Sequence, residues 1–361
     1  MESAALSQLK TLLAAAPALR TQLSNTERLQ LSGLAEALRN ELERPDEAIF
    51  RVTFNEVRRI SHARFLRHLA ANGTIREVEH DTYASTRLSA SLRQKSFKDA
   101  IHFMFDDFYN VGWRVPSFLD SISHCNPSDI NNGPFQHAHG FSNKSLYTYF
   151  DEDAAMGERF GGMIQMYNAG KPFYWEDGYY PFKERLVVGG PVSDEEVLLV
   201  DIGGGDAGDL GLLRKALGGD IKGRLVLQEL KHIVDKSEQD GFEAHVGDWN
   251  EVQPIQGARA YMLQHILHDF SSDDACRRIL SNIVPVMKPG YSRLLIKELL
   301  IPDRNAPWAF TAMDVNVMQS LSGQERTESQ FRELLESVGL KIEGIWSHEN
   351  ALDVVIEASL L

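Results

Sequence analysis

Short apolar runs alternate with stretches of helical spacing along the C-terminal half of the chain. The apolar runs predict buried strands, and apolar residues at every third or fourth position predict helices. The predicted strands cover residues 196–202, 224–228, 242–246, 259–263, 293–299, 340–347 and 352–358. The predicted helices cover residues 208–217, 231–236, 272–287 and 327–338. This alternation predicts a doubly wound α/β fold with a parallel sheet, whose ligands bind at the carboxyl ends of the strands.

The N-terminal half shows mainly helical spacing. Leucines recur at helical intervals through residues 1–45 and predict helices with an apolar stripe. The stretch from Val57 to Ala71 predicts a further helix, which Gly73 ends as a C-terminal cap residue would. A short hairpin around His80-Asp81 follows, and a helix with a hairpin resembles a winged-helix module. Residues 87–185 are again predicted to be mostly helical.

The length of 361 residues suggests two domains or one large one. The pattern predicts a helical, winged-helix-like part over residues 1–110 and a helical linker and pocket region over residues 111–190. Residues 191–361 form the predicted α/β domain, with a boundary near Gly189-Gly190-Pro191.

Composition excludes several classes of protein. The formal net charge of -14 disfavours nucleic acid or an anionic membrane as a partner, so we do not expect the winged-helix-like unit to bind DNA. No run of apolar residues is long enough for a transmembrane helix. The two cysteines, Cys125 and Cys276, exclude a disulfide scaffold and favour the cytoplasm. No cluster has zinc-ligand spacing, so we expect no metal.

A glycine-rich turn follows the first strand of the α/β part. Gly203, Gly205 and Gly208 match the dinucleotide fingerprint, and Glu229 ends the next strand, so NAD is one interpretation. Other features favour S-adenosylmethionine. Asp201 lies two residues before the first glycine, Asp248 ends the third strand, and the domain closes with two consecutive strands.

Three ionisable residues are predicted to converge at the ligand-binding edge of the sheet. His268 lies just after the fourth strand, Glu298 lies near the end of the fifth, and Glu325 lies in the loop before the last helix. A histidine flanked by two carboxylates is a general base whose tautomer is fixed. Such a base could free an oxygen nucleophile for attack on a methyl group.

These residues resemble the plant-type and fungal S-adenosylmethionine-dependent O-methyltransferases, the caffeate O-methyltransferase-like class. The matching blocks lie at residues 200–205, 247–248, 268–270, 297–298, 313–314 and 323–327, and residues 66–73 fit the N-terminal dimerisation domain of the family. The resemblance implies a Rossmann-like class I methyltransferase domain, seven-stranded with its last strand antiparallel, and a homodimer built through the winged-helix-like part.

The resemblance also implies roles for individual residues. His268 would be the base, supported by Glu298 and Glu325, and the acceptor would be a small aromatic or polyketide-type molecule. The implied cofactor contacts are Asp201, Gly203, Gly205, Glu229, Asp248 and Trp249, with Asp269 beside the cofactor. The implied substrate-facing residues are Met163, Met166, Met313, Asn316 and Met318.

The sequence departs from the family pattern at three places. Ala207 replaces a glycine, Gln264 replaces a lysine of the plant members, and the segment from Arg51 to Arg64 is short. Other functions stay open at this point. One is a pericyclase or dehydratase that holds S-adenosylmethionine as a fixed charge. The others are an NAD-dependent oxidoreductase and a non-catalytic binding protein.

Overall fold

The computed structural model describes residues 4–42, 62–205, 208–219, 221–235 and 241–361. The chain divides into two compact units, one of residues 1–113 with 147–169 and one of residues 114–146 with 170–361. The predicted boundaries at residues 110 and 190 stay a prediction, because compactness alone does not define parts that fold independently.

Within the described residues, the first half of the chain is mainly helical and contains one hairpin. Ala207, and most of the short segment from Arg51 to Arg64, lie outside the described residues. The elements are α1 (Ala4–Gln22), α2 (Asn25–Leu42), α3 (His62–Ala71), β1 (Ile75–Glu79), β2 (Thr82–Ser85), α4 (Arg87–Ser91), α5 (Lys95–His102), α6 (Tyr109–Ser121), α7 (Pro134–His139), α8 (Leu146–Glu152) and α9 (Ala154–Asn168).

The predicted hairpin is confirmed, because β1 and β2 pair antiparallel. Gly73 follows α3 with a φ of +75°, which suits glycine and ends the helix where the sequence predicts. The predicted start of this helix at Val57 lies outside the described residues. Within the same unit, Arg159 of α9 holds Asp107 with two hydrogen bonds of 2.6 and 2.7 Å.

The rest of the chain alternates strands with helices. Its elements are β3 (Val197–Ile202), α10 (Gly208–Leu217), β4 (Arg224–Glu229), α11 (Lys231–Val234), β5 (Glu243–Val246), β6 (Ala260–Gln264), α12 (Asp273–Ile283), β7 (Arg293–Ile301), α13 (Trp308–Leu321), β8 (Arg326–Thr327), α14 (Glu328–Glu336), β9 (Leu340–Ser347) and β10 (Asp353–Leu360). Each predicted strand of the α/β part is present.

Within the described residues the main sheet runs in the order β5-β4-β3-β6-β7-β10-β9. Strands β3 to β7 are mutually parallel, whereas β10 is antiparallel to both β7 and β9. The structure therefore confirms the predicted class I fold with its antiparallel last strand. Both faces of the sheet are covered, and the middle of β3, from Leu198 to Val200, is fully buried.

Two elements were not predicted. Apolar residues surround the axis of α13 instead of forming one stripe, so the helix lacks the periodicity by which an amphipathic helix is recognised. Strand β8 has only two residues, which pair with the end of β7. Both elements contribute to the candidate site.

None of the helices in the described ranges is long and apolar enough to cross a membrane.

Candidate active site

A cavity of about 140 Å³ opens at the carboxyl ends of β3, β4 and β5. Four of the predicted cofactor residues line it, namely Gly203, Glu229, Asp248 and Trp249. Sequence reasoning missed the remaining lining residues, which are Ile202, Gln228, Leu230, Gly247 and Asn250. Each of them is adjacent in sequence to a predicted cofactor residue. The motif spacing therefore predicts where the cavity lies but not all of the residues that line it.

Only glycine fits at the start of the glycine turn. Gly203 has a φ of +73°, and its N–H donates to the carbonyl of Gln228 at 2.8 Å. A Cβ atom at this position would lie 2.7 Å from the side chain of Ile266 and 2.9 Å from that of Trp249. The backbone therefore passes directly against the cavity wall, as it must to approach a nucleoside ligand closely. Gly205 also has a positive φ, of +60°.

Asp201 lies beneath this turn with only 7% of its surface exposed. Its Oδ1 atom has no hydrogen-bond partner within the described part of the chain. Burial raises the pKa of Asp201 to about 7, and the negative charges of Asp209 and Glu229 add to the effect. A buried, unpaired carboxyl group beside further acids suits a ligand that brings a positive charge or hydrogen-bond donors.

Other polar groups near the cavity have partners inside the protein. Asp248 accepts hydrogen bonds from the N–H and the side chain of Asn250, at 2.8 and 2.9 Å, so it also stabilises its own turn. Gln264 donates its side-chain amide to Asp209 at 3.3 Å. The acids around Asp201 thus gain a neutral partner at this position instead of a cation.

A second group of polar residues surrounds His268 beyond the end of β6. The Nδ1 atom of His268 lies 2.9 Å from Oε1 of Glu325 and 3.7 Å from Oε2 of Glu298. Its Nε2 atom lies 3.4 Å from Oδ1 of Asp269. The structure thus brings together the three residues predicted to converge, and it adds Asp269 as a third carboxylate.

The sheet explains why Glu298 lies here. The last residue of β6, Gln264, pairs with Lys297 of β7, so Glu298 is the first residue of β7 beyond the end of its parallel neighbour. Its Oε1 atom accepts backbone N–H groups of the turn that follows β6, from Ile266 at 3.1 Å, from Leu267 at 2.9 Å and from His268 at 3.4 Å. This arrangement fixes the turn as well as facing the imidazole.

Strand β8 explains the position of Glu325. Arg326 and Thr327 pair with Leu300 and Ile301 at the end of β7, which places the preceding Glu325 beside the same sheet edge as Glu298. The N–H of Glu325 donates to a carboxylate oxygen of Asp314 on α13 at 2.9 Å. The two elements that the sequence failed to predict therefore hold one of the acids that contact His268.

The carboxylates dominate the electrostatics of His268. Burial alone would lower its pKa, but the charges of Glu298 and Glu325 outweigh burial and raise the pKa to about 10. For Glu298, burial raises the pKa, and the positive charge of protonated His268 opposes that rise. The imidazole is therefore a stronger base than a free histidine.

His265 is a residue that sequence reasoning missed. Its ring lies 5.2 Å from that of His268, and its Nε2 atom lies 3.7 Å from a carboxylate oxygen of Asp353. Lys171 lies 3.6 Å from the same oxygen, and burial lowers the pKa of Lys171 to about 8. The φ of +53° at His265 is unusual for a residue with a side chain, and no motif signals it.

The predicted substrate-facing residues lie on two helices. Met313, Asn316 and Met318 are half-buried on α13, which also carries Asp314. Met163 and Met166 are half-buried on α9, in the unit that includes residues 147–169. Their roles stay predictions.

Comparison with known proteins identifies the family. A model of the O-methyltransferase domain matches residues 197–341. O-methyltransferase mpaG of Penicillium brevicompactum is 32% identical, with 82% of this chain and 75% of that protein covered. O-methyltransferase mfmE of Annulohypoxylon moriforme is 34% identical, with 82% and 72% covered. The chain is an S-adenosylmethionine-dependent O-methyltransferase.

Among solved structures, a pericyclic reaction enzyme has the same fold as this methyltransferase, with a TM-score of 0.84 and 22% identity over 99% of this chain and 100% of that one. The cavity of the methyltransferase fits its cofactor, S-adenosylmethionine, on two grounds. Gly203 brings the backbone against Trp249 of the cavity wall with no side chain between them, and Oδ1 of Asp201, two residues before Gly203, is a buried acceptor without a partner in the described residues.

Replacement of Gly203 by alanine tests this cavity. Gly203→Ala places a methyl group against Ile266 and Trp249, and we expect the affinity for S-adenosylmethionine to fall at least about tenfold, about 1.4 kcal/mol. Titration calorimetry measures the change. The matched control is Gly257→Ala, which has a φ of +66° and open space around its Cβ. An equal affinity in the two variants would contradict the assignment.

Proposed function

We propose that the methyltransferase methylates a phenolic or enolic hydroxyl of a small aromatic or polyketide-type metabolite, with His268 as the general base. The observation that carries the proposal is the contact of Nδ1 of His268 with Glu325 at 2.9 Å. A proton held on Nδ1 by this carboxylate leaves the lone pair on Nε2 to accept the acceptor's proton.

The basicity of His268 matches the proposed acceptor. A phenol has an ordinary pKa of about 10 and is mostly protonated at neutral pH. The pKa of His268, about 10, makes transfer of the phenol proton to the neutral imidazole nearly balanced in free energy. Nδ1, on the opposite side of the ring from Nε2, contacts Glu325, so the charge that forms on proton transfer is stabilised.

We further propose that Asp201, Gly203, Gly205, Glu229, Asp248 and Trp249 hold the cofactor, with Asp269 on the turn beside it. S-adenosylmethionine supplies an activated methyl group when it is bound. The remaining task of the protein is to hold the hydroxyl oxygen in line with that group and to remove its proton. Because Asp269 adjoins His268 in sequence, one turn would serve both tasks.

Met313 and Met318 on α13 support the choice of a flat apolar acceptor. Methionine side chains are flexible and polarisable, and they adapt to aromatic surfaces. Asn316 on the same helix would supply a hydrogen-bonding group that orients the acceptor. All three side chains are half-buried, as residues that line a binding surface would be.

Incubation with S-adenosylmethionine and a library of phenols tests the function. We expect a product heavier by one CH₂ unit, formed together with S-adenosylhomocysteine and detected by mass spectrometry. His268→Ala should lose about a hundredfold or more in rate, within the range for loss of a general base. The control His245→Ala changes an exposed histidine on β5 and should keep the wild-type rate. An unchanged rate in His268→Ala would remove the proposed role.

The pH dependence of methyl transfer tests the role of the carboxylates. A base must be unprotonated, so a raised pKa makes kcat/KM increase as pH rises from neutral toward 10. Glu325→Gln removes one of the charges that raise this pKa, and the increase should therefore move to lower pH while the maximum rate falls. Glu328→Gln, at an exposed residue paired with Arg332, is the control. Identical pH profiles in all three proteins would refute the electrostatic account.

A second candidate function rests on the same pKa. At neutral pH the His268 imidazole is protonated, so it can act as an acid that protonates a departing hydroxyl group, as a dehydratase would require. The structurally similar pericyclic reaction enzyme shows only that the fold is shared. Release of S-adenosylhomocysteine in stoichiometric amount with product favours methyl transfer. Product formation without release of S-adenosylhomocysteine favours the second function.

We also propose that the enzyme is a cytoplasmic homodimer that associates through α1 and α2. Within the described residues, six leucines of α1 and α2 are exposed, among them Leu13 and Leu34 at 66% and 67%, and exposed leucines concentrated on two helices indicate an association surface. Sedimentation velocity should give twice the mass of one chain, and Leu13→Asp combined with Leu34→Asp should shift it to one chain. A monomeric wild-type enzyme at micromolar concentration would contradict the proposal.

A further inference from the structure

We infer that Arg326 is a positioning residue that holds the turn carrying His268 against Glu325 and so sets the orientation of the proposed base. The inference rests on the proposed function, because Arg326 would act on the reaction only through His268. It is drawn from a set of contacts that the function does not otherwise explain.

Arg326 is a buried cation that spans the turn. Only 1% of its surface is exposed. Its Nη1 atom donates to the carbonyl of Leu267 at 3.0 Å, and its Nη2 atom donates to the carbonyl of Phe270 at 2.7 Å. These two residues flank His268 and Asp269 in the chain. One rigid guanidinium therefore fixes both ends of the turn that presents the imidazole.

The opposite side of the turn is fixed by a different group. Glu298 accepts the N–H groups of residues 266–268, whereas Arg326 donates to the carbonyls of residues 267 and 270. The turn is thus held between a buried anion and a buried cation. Neither Glu298 nor Arg326 lines the cofactor cavity. Their contacts with the turn therefore determine the position of His268 rather than the shape of the cavity.

Three successive residues of one segment contact the turn. The N–H of Gln324 donates to the carbonyl of His268 at 2.8 Å, Glu325 contacts the imidazole, and Arg326 bridges the flanking carbonyls. Because these residues are adjacent, a displacement of the guanidinium displaces the carboxylate that orients the imidazole. The position of His268 relative to Glu325 therefore depends on Arg326.

Lysine cannot make the same set of contacts. The guanidinium reaches both carbonyls and also Oδ1 of Asp273, at 3.0 and 3.2 Å, with donors in a fixed plane. A lysine ammonium is a single point on a flexible stem, and it cannot reach both ends of the turn in one geometry. Replacement by lysine keeps the buried charge and removes the bridge, which makes it the informative substitution.

Arg326→Lys tests the inference. We expect kcat to fall by about ten- to a hundredfold, the cost of displacing a reacting group by about 1 Å. The Kd for S-adenosylmethionine should change much less than kcat, because no residue of the turn lines the cavity and only Asp269 of the turn is proposed to lie beside the cofactor. The increase of kcat/KM with pH should also move to lower pH, because the imidazole loses part of its contact with Glu325.

Asp273→Asn is the matched control. It weakens the contact of Arg326 with the half-exposed carboxylate of Asp273, and it leaves both carbonyl contacts in place. We expect a lower Tm for this variant with kcat and the pH profile unchanged. A general loss of packing would instead lower kcat in both variants in proportion to their loss of Tm, and that pattern would overturn the inference.

Titration of the His268 imidazole by NMR gives a readout that needs no acceptor. In Arg326→Lys we expect its pKa to be lower than in the wild-type protein, and in Asp273→Asn we expect it to be unchanged. If the wild type methylates no phenol while the Arg326→Lys titration shifts as expected, the proposed function fails and the positioning effect stands. A wild-type titration and a wild-type kcat in Arg326→Lys would overturn the inference.

Discussion

The buried carboxylate of Glu298 is the constraint on which the site depends. Glu298 is fully buried, and a buried carboxylate needs partners inside the protein. One oxygen receives backbone N–H groups from the turn after β6, and the other faces His268. The turn and the imidazole are therefore held by the same group. The position of Glu298 follows from the sheet register. Gln264, the last residue of β6, pairs with Lys297, so Glu298 lies one residue beyond the end of β6.

The two halves of the site use negative charge for different purposes. Around the glycine turn, Oδ1 of the buried Asp201 has no hydrogen-bond partner in the described residues, which favours a cationic ligand. Around His268, two glutamates raise the basicity of an imidazole that burial would otherwise weaken. Both groups lie at the carboxyl ends of parallel strands, where the turns of a class I fold converge. Acids at the glycine turn and around His268 both contribute to the net charge of -14, which from composition alone would be attributed to solubility.

Much of this arrangement could be predicted from the sequence, for physical reasons. The buried strands are short apolar runs, and the residues that follow them must meet at one edge, so His268, Glu298 and the glycine turn were placed together. Helix α13 was missed because its apolar residues surround it, and β8 because two residues carry no period. His265 and the bridging role of Arg326 were missed because both depend on long-range contacts. Pairing across distant segments has no local signal.

The most direct test of the account is the titration of the His268 imidazole, observed by NMR in protein with labelled histidine. The account predicts a pKa far above the ordinary value of about 6.5, so that the ring stays protonated at pH 8, and a lower pKa in Glu298→Gln. A His268 that titrates near 6.5, with no change in Glu298→Gln, would contradict the claim that the buried carboxylates set its basicity.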